Sequence, residues 1–503
     1  MNEVKTLKPF INGAFVTSKT NSYSDAYDPS TGEVIAKVPR CTEDEVTAAI
    51  ESAQKAFPAW AATPVAKRVQ ILYNVRELIV AHMDELTHLV ALENGKSWSE
   101  AQGDVLKAKE GTEQAISAPS LMMGESLMDA SSGYDSVLYR VPIGVCAGII
   151  PFNFPAMIPM GWMTPICIAC GNTIVLKAAS FTSQSALRLA ELYKEAGLPD
   201  GVLNIVTCSR NEAEILLTHP DVQAVTFVGS TEVGLHVYAT AAAHGKRVQA
   251  LCEAKNHALV MRDAPIERTA AGIINAAFGC AGERCMALPV VVVEEAIADA
   301  LVAEIVQQAK AIKIGPAYDK ATTLGPVINE AHKKSILAWI QKGIDEGAQL
   351  VLDGRTATVA GYESGFYLGP TIFDCVTPDM TIGDREIFGP VLCIKRVKTF
   401  EEGLALMNAN QFANGSVIFT QNGYFAREFI RRTDGGMVGV NVGIPVPVGY
   451  FAFTGHKKSF FGDLHVLGKD GFRFFTESKV VTTHWFDEDE AKSTNVSTWD
   501  GTI

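Results

Sequence analysis

ALRLAELYKEAGLPDGVLNIVTCSRNEAEILLTHPDVQAVTFVGS, residues 186–230, is the stretch on which the reading of the fold turns. An amphipathic helical run (ALRLAELYKEAG) gives way to a short strand-forming run (VLNIVT), then to a second helical run (NEAEILLTH) and a second strand (AVTFVG). Strands that alternate with helices in this way predict crossover units and a parallel sheet, an α/β class. The habit resumes downstream, with ALVMR and PVVVVEE as strands and IADALVAEIVQQAKAIKIG and EGLALMNA as helices, so a second α/β unit is expected after Leu251. Upstream, Thr42 to about Asn94 reads as helices. Thr42 is the first N-cap, and Glu45 three residues on completes a capping box. Two segments fit neither unit: YDSVLYR (134–140) and FRFFTESKVVTTHWF (472–486) alternate and are rich in β-formers. They are expected to pair as an arm, whose edges need burial against another subunit.

The bulk numbers agree with a large globular protein. The 503 residues exceed one ordinary core, so two or three domains are expected, and 48% apolar with 20% charged residues is ordinary globular usage. A net charge of −13 sets aside nucleic acid and anionic membrane as partners, since both reward clustered Lys and Arg. Ten scattered cysteines and an opening MNEVKTLKPF without a charged-then-apolar leader read as a reducing cytoplasm. Cys167 and Cys170 form a C-x-x-C pair among apolar neighbours, which favours a buried helix over a redox pair. From Val141 to Gly171 about thirty residues carry no charge, which on length alone would qualify as a membrane span, yet Pro142, Pro151, Pro155, Pro159 and Pro165 would break helix hydrogen bonds that hydrocarbon cannot replace. A buried strand, loop and helix are expected there. The last seventeen residues, 487–503, read as a polar tail over the surface.

Three places carry chemistry. In FGCAGERCMA (278–287), Cys285 follows Arg284 among small residues, where a positive neighbour and nearby backbone N–H groups would favour thiolate. A cysteine near one arginine is, on its own, more often an inert core residue than a nucleophile. In VTFVGSTEVG (225–234), a strand, the Gly229-Ser230 turn and a helix bearing Gly234 offer free N–H groups to a pyrophosphate, although the spacing is not G-x-G-x-x-G. In PFNFP (151–155), Asn153 sits between prolines in an apolar run, either as a preorganised donor or as an amide satisfied by loop carbonyls. No metal site is read.

PFNFP, LKAAS, FVGSTEVG, AKNHALV, FGCAGERCMA and EIFGP stand in the order and spacing of the aldehyde dehydrogenase superfamily, which the chain resembles over nearly its whole length. SAPSLMMGES (117–126), AGERCMA, VNVGIPVP (440–447) and FTGHKKSFFG (453–462) further resemble the CoA-acylating methylmalonate-semialdehyde dehydrogenase branch. The resemblance implies a Rossmann-type cofactor domain, an α/β catalytic domain and a small β oligomerisation arm. Residues 1–126 and 147–250 would bind NAD, 251–442 would be catalytic, 127–146 and 472–486 would supply the arm, and 443–471 would return to the cofactor domain. A homotetramer, a dimer of dimers, is expected.

By the same resemblance Cys285 attacks the aldehyde, and the thiohemiacetal oxyanion meets the Asn153 amide and the Cys285 N–H. Glu386 holds the ribose beside the nicotinamide with Phe388 nearby. Ser230, with Gly229 and Gly234, contacts the pyrophosphate, Lys177 holds the adenosine ribose, and Phe152, Ser180 and Leu251 complete the cofactor wall. Hydrolytic members carry a general-base glutamate where this chain has Leu251, so the thioester is expected to wait for CoA. Glu253, two residues on, either substitutes as that base or pairs with a local cation. Arg284 would grip a substrate carboxylate bidentately, and Lys107 stands where relatives have a second arginine. Ser180 replaces the glutamate by which NAD-preferring members hold the adenosine ribose, so NADP is an alternative to NAD. The implied reaction is CoA-acylating oxidation of malonate or methylmalonate semialdehyde to acetyl-CoA or propionyl-CoA. The alternative is a hydrolytic enzyme yielding free acid.

Overall fold

The structure, a computed structural model, describes residues 4–494. Its first long helix starts where its capping residues dictate. The Glu45 carboxylate accepts the Thr42 N–H at 2.8 Å and the Thr42 hydroxyl accepts the Glu45 N–H at 3.4 Å, opening helix Glu43–Ala62. Helices Val65–Ala81 and Met83–Asn94 follow, the last stopped by Gly95 at φ 89°.

The alternating segment folds as helix Ser183–Glu195, strand Leu203–Val206, helix Arg210–Thr218 and strand Val222–Val228. These strands join an eight-stranded sheet whose parallel centre runs in the order Arg247–Leu251, Val222–Val228, Val145–Ile149, Thr173–Lys177, Leu203–Val206. Its antiparallel edges are Phe460–Gly462 on one side and Phe10–Ile11 with Ala14–Phe15 on the other. From Val145–Ile149 the chain winds outward in one direction and then returns to place Val222–Val228 on the other side. That reversal opens a crevice beyond the carboxyl ends of these strands, where ligands of open α/β sheets bind. The loops after Ile149 and Val228 both lie at that end, and they carry Asn153 and Ser230.

A seven-stranded sheet forms the second unit, in the order Gln349–Leu352, Thr371–Asp374, Val391–Val397, Val290–Glu294, His257–Val260, Gly415–Phe419, Met437–Val440, parallel except for its first strand. The residues of Val290–Glu294 and His257–Val260 are buried throughout, which explains their unbroken apolar runs. Leu251, taken from the sequence as the first residue of this unit, is instead the last of strand Arg247–Leu251 in the first sheet, paired with Val228 and Phe460.

The arm is a three-stranded sheet. Tyr134–Pro142 pairs antiparallel with Thr476–His484 over its whole length, Tyr134 opposite His484 and Pro142 opposite Thr476, and Glu125–Ser131 adds the third strand. Its limits differ from the sequence reading at both ends. Phe472 and Phe474 lie in a short helix, Gly468–Phe474, and with Phe475 they are buried, because three phenylalanines in four residues cannot alternate in and out. Val145 and Cys146 belong to the first sheet. The charge-free stretch 141–171 folds as strand Val145–Ile149, a loop, a π-helical turn Ile158–Met163 and helix Thr164–Ala169. Cys167 and Cys170 are buried free thiols at its end. Among the described residues no helix is long and apolar enough to cross a membrane. Residues 487–494 of the polar tail are exposed, and the rest of it lies outside the described residues.

Candidate active site

The loop that delivers Cys285 is strained. After helix Ile266–Phe278, Cys280, Ala281 and Gly282 take φ values of 51°, 52° and 74°, three left-handed residues in a row. For the two non-glycines this conformation costs on the order of 1–3 kcal/mol each and persists only where neighbours hold it. The holders are visible. The Glu100 carboxylate accepts the Cys280 N–H at 2.6 Å, and at Gly282 a Cβ would run into the Gly389 carbonyl oxygen. Beyond the turn, the Cys285 carbonyl accepts the Asn256 amide at 2.9 Å and the Asn414 amide at 3.3 Å. Asn256 also donates to the Ala287 carbonyl at 2.7 Å and accepts the Gly415 N–H at 2.8 Å, so one buried amide ties the nucleophile loop to the second sheet.

The expectation that this setting favours thiolate is overturned. Burial pushes the Cys285 thiol up to about 12 and the Glu386 carboxylate adds to the effect; Arg284 and the N–H groups of Cys285 and Met286 pull the other way without prevailing. The thiol opens on a cavity of about 310 Å³ whose walls include Arg284, Lys107, Glu100, Phe154, Trp162 and Phe453. Arg284 donates through Nη2 to the Asn275 carbonyl, while its Nε is buried without a partner. Lys107 lines the same cavity, but its ammonium is paired with Glu110 at 2.6 Å.

Asn153 sits on a loop held by its backbone. The Phe152 carbonyl accepts Asn94 Nδ2 at 3.0 Å and the Thr182 hydroxyl at 3.1 Å, and the Asn153 carbonyl accepts Lys96 Nζ at 2.6 Å. Lys96 is buried. Its ammonium pairs with the buried Asp104 at 3.1 Å and lies 3.9 Å from the centre of the Phe154 ring, and Asp104 also accepts the Met157 N–H at 2.7 Å. Asn153 is itself 4% exposed, and among the described residues nothing hydrogen-bonds its side-chain amide. Of the two readings of Asn153, the geometry therefore fits a waiting donor, because no loop carbonyl satisfies it.

At the crevice, Ser230 caps helix Thr231–Ala243 with its hydroxyl unused as a cap. Gly229 and Gly234 serve close packing: a Cβ at Gly229 would come within 2.6 Å of the Phe227 ring, and one at Gly234 would run into Cys252 Sγ. Glu253 finds no cation among the described residues. Its carboxylate accepts the Thr231 N–H at 3.2 Å, at the helix N-terminus. Leu251 is packed in the core, 5% exposed. A second cavity, about 590 Å³, is lined by Phe152, Lys177, Ser180, Phe181, Tyr23 and Arg40 among others. Lys177 has no acid partner among the described residues, and burial lowers its pKa. Glu386 accepts the Ala254 N–H at 3.0 Å; burial raises its carboxyl to about 8, with Glu253 contributing. Phe388 has φ 59°, and its ring meets that of Phe152 edge-on at 5.9 Å. Cys285, Arg284, Glu386 and Phe388 line one narrow cleft, which shares Arg284 and Cys285 with the first cavity.

The structure thus brings Cys285, Arg284, Glu386 and Phe388 to one cleft, with the Asn153 loop at the adjoining cavity. Lys177 and Ser180 lie in the second cavity with Phe152. The sequence reading missed Asn94, Lys96, Glu100, Asp104, Asn256 and Asn414. A polar run such as LENGKSWSE reads as solvent-facing, and only tertiary packing buries it. Asn256 stood inside a recognised motif, which was the one available signal.

The model of the aldehyde dehydrogenase family matches residues 15–481. Malonate-semialdehyde dehydrogenase 2 of Geobacillus kaustophilus is 52% identical over 482 residues, covering 96% of this chain and 99% of the relative. Malonate-semialdehyde dehydrogenase 1 of Geobacillus thermodenitrificans is likewise 52% identical, over 96% of this chain and 99% of its own. Among solved structures, a Sinorhizobium meliloti protein assigned as a methylmalonate-semialdehyde dehydrogenase and complexed with NAD superposes with a TM-score of 0.96 at 42% identity, covering 97% of this chain and all of that one. The methylmalonate-semialdehyde dehydrogenase of Oceanimonas doudoroffii gives 0.95 at 42% identity over the same shares.

Proposed function

The chain belongs to the aldehyde dehydrogenase family, and from that premise we propose that it oxidises malonate or methylmalonate semialdehyde with NAD and CoA through a thioester on Cys285. The observation that carries the substrate class is Arg284: a guanidinium whose Nε is buried without a partner, in the wall of the cavity onto which the thiol opens. A buried unpaired donor costs about 1–3 kcal/mol, and a substrate carboxylate relieves it. Relatives named for malonate and methylmalonate semialdehydes point the same way.

NAD fits the crevice. Helix Thr231–Ala243 presents its N-terminus there, Lys177 lacks an anionic partner, and Glu386 is aligned by the Ala254 N–H. Lys177 and Ser180 would face the adenosine ribose, Ser230 the pyrophosphate, and Glu386 the second ribose. Bound there, NAD accepts the hydride. Since Ser180 brings no negative charge, NADP is the alternative cofactor.

The residues then divide the work. Cys285 Sγ forms a bond to the aldehyde carbon as its proton leaves, and the oxyanion is met by the Asn153 amide and the Cys285 N–H. Loss of hydride leaves a thioester on Cys285. Loss of CO2 from its β-carboxylate gives an enolate that the same donors stabilise, and a proton returns to carbon. Leu251 offers no base to activate water, and the Glu253 carboxylate is engaged by Thr231. The acyl group therefore passes to the CoA thiolate, giving acetyl-CoA or propionyl-CoA and restoring the thiol. These features favour acylation over the hydrolytic alternative.

We further place the cofactor domain in 4–124 and 145–251, the catalytic domain in 252–442 and the return segment in 443–471, and the working state as a cytoplasmic homotetramer. Leu127, Met128, Val480 and Trp485, each more than 60% exposed on or beside the arm, would be covered by neighbouring subunits. Product analysis by mass spectrometry tests the reaction. CoA thioester with release of CO2 is expected; NADH formation indifferent to CoA, with free acid as the sole product, would overturn it.

A further inference from the structure

His332 stands in none of the motifs, yet three loops of the site converge on it. It is the third residue of helix Glu330–Asp345, and the Asn329 side chain that caps this helix fixes its backbone by accepting the His332 N–H at 2.8 Å. Its Nε2 lies 2.7 Å from the Phe388 carbonyl oxygen and 3.3 Å from a Glu283 carboxyl oxygen. A carbonyl only accepts, so Nε2 carries the proton and donates to Phe388. The ring meets Phe388 at 6.3 Å and Phe152 at 6.2 Å, both edge-on. Phe152 precedes Asn153, Glu283 lies two residues before Cys285, and Phe388 lies two after Glu386.

What His332 holds is strained. Phe388 is a non-glycine at φ 59°, a conformation that needs outside support, and among the described residues its carbonyl is fixed by this donor alone. Glu283 is buried and also accepts the Ile328 N–H at 3.1 Å, so its side of the bridge is anchored to the segment leading into the histidine's own helix. Directly beside it, Gly282 packs on the Gly389 carbonyl with no room for a Cβ. The nucleophile loop and the Glu386–Phe388 loop therefore touch through backbone on one side and through His332 on the other.

We propose that His332 is a positioning residue that holds the Glu386–Phe388 loop in register with the Cys285 loop, and so sets the alignment for hydride transfer. This rests on the reading of Glu386 as the group holding the nicotinamide ribose. A misplacement of about 1 Å at a reacting centre costs on the order of a hundredfold in rate. Acylation of the thiol by an activated ester needs Cys285 and its oxyanion donors but no hydride transfer.

The test compares His332→Phe, which keeps ring packing without the donor, His332→Ala, and His332→Gln, whose amide can donate to Phe388. Each holoenzyme is assayed for NADH formation from semialdehyde, for the burst rate of p-nitrophenol release as p-nitrophenyl acetate acylates Cys285, and for melting temperature. The phenylalanine and alanine variants are expected to lose about 10- to 100-fold in dehydrogenase kcat/KM for NAD and to show a larger deuterium isotope effect with a deuterated aldehyde. The acylation burst should stay within about threefold, and the glutamine variant should recover most of the loss. Unchanged dehydrogenase activity in the phenylalanine and alanine variants, or loss of both activities in the same proportion, would overturn the proposal. Failure of the parent reading is separate: Glu386→Gln would then leave dehydrogenase kcat/KM for NAD unchanged.

Discussion

Replacing Glu386 by glutamine should push two properties of the site in opposite directions. Cys285 is held up to about 12 by burial first and by the Glu386 charge second. A thiol at that value is ionised about a thousandfold less at neutral pH than an ordinary one near 9, so alkylation by iodoacetamide should be slow and climb about tenfold per pH unit, with no plateau below pH 10. The sign follows from which form reacts: a raised thiol pKa stabilises the neutral form, and the thiolate is the nucleophile. Removing the Glu386 charge lowers the pKa but leaves burial, the larger cause, in place. Glu386→Gln should therefore speed labelling of the Cys285 peptide by about three- to tenfold at pH 9.5, above the raised Glu386 value of about 8 where that carboxyl is ionised, and by less at pH 7. Dehydrogenase kcat/KM for NAD should meanwhile fall by at least about tenfold, because a carboxylate is lost from the ribose contact. The assay is labelling rate by peptide mass spectrometry from pH 6 to 10 on both proteins. A plateau near pH 7 in the parent, or slower labelling in the variant, would refute this electrostatic account.

Lys96→Met leaves Asp104 buried and unpaired and frees the Asn153 carbonyl; thermal unfolding should show a loss of about 3–5 kcal/mol, and the companion change Asp104→Leu should restore part of it. Arg284→Leu should cut the preference for malonate semialdehyde over propanal by about a hundredfold in kcat/KM, whereas Lys107→Ala should shift it less than about threefold, because the Lys107 ammonium is already paired with Glu110. Gly282→Ala places a methyl against the Gly389 carbonyl at a left-handed position, so a folded variant should lose at least about a hundredfold in kcat; pre-steady-state NADH formation at the parental rate would count against the strained-loop argument.

Much of this molecule is written locally. The Thr42 capping box, the strand–helix alternation of 186–230 and the buried runs around Val290–Glu294 and His257–Val260 express nearest-neighbour chemistry and period, and the structure repeats them. The arm was legible as two orphan strands, but its start was misplaced, because Phe472 and Phe474 in a short helix and Phe475 just after it obey burial rather than alternation. Candidate site residues inside a motif could be named from that motif. Those that act through distance were not: Lys96 reaches Asn153 across 57 positions, Glu100 reaches Cys280 across 180, and Asn414 reaches Cys285 across 129. The thiolate expectation failed for the same reason, since burial and the Glu386 field come from segments remote in sequence and outweigh the adjacent Arg284.

The account's centre is an acyl group that stays on Cys285 until a second thiol takes it. The direct test is to mix the protein with NAD and malonate semialdehyde without CoA, quench in acid and weigh the peptide that carries Cys285. An acetyl-sized adduct on that peptide, discharged to acetyl-CoA when CoA is added before the quench, is the predicted result. An unmodified Cys285 with free acid accumulating at the full rate of NADH formation would contradict it.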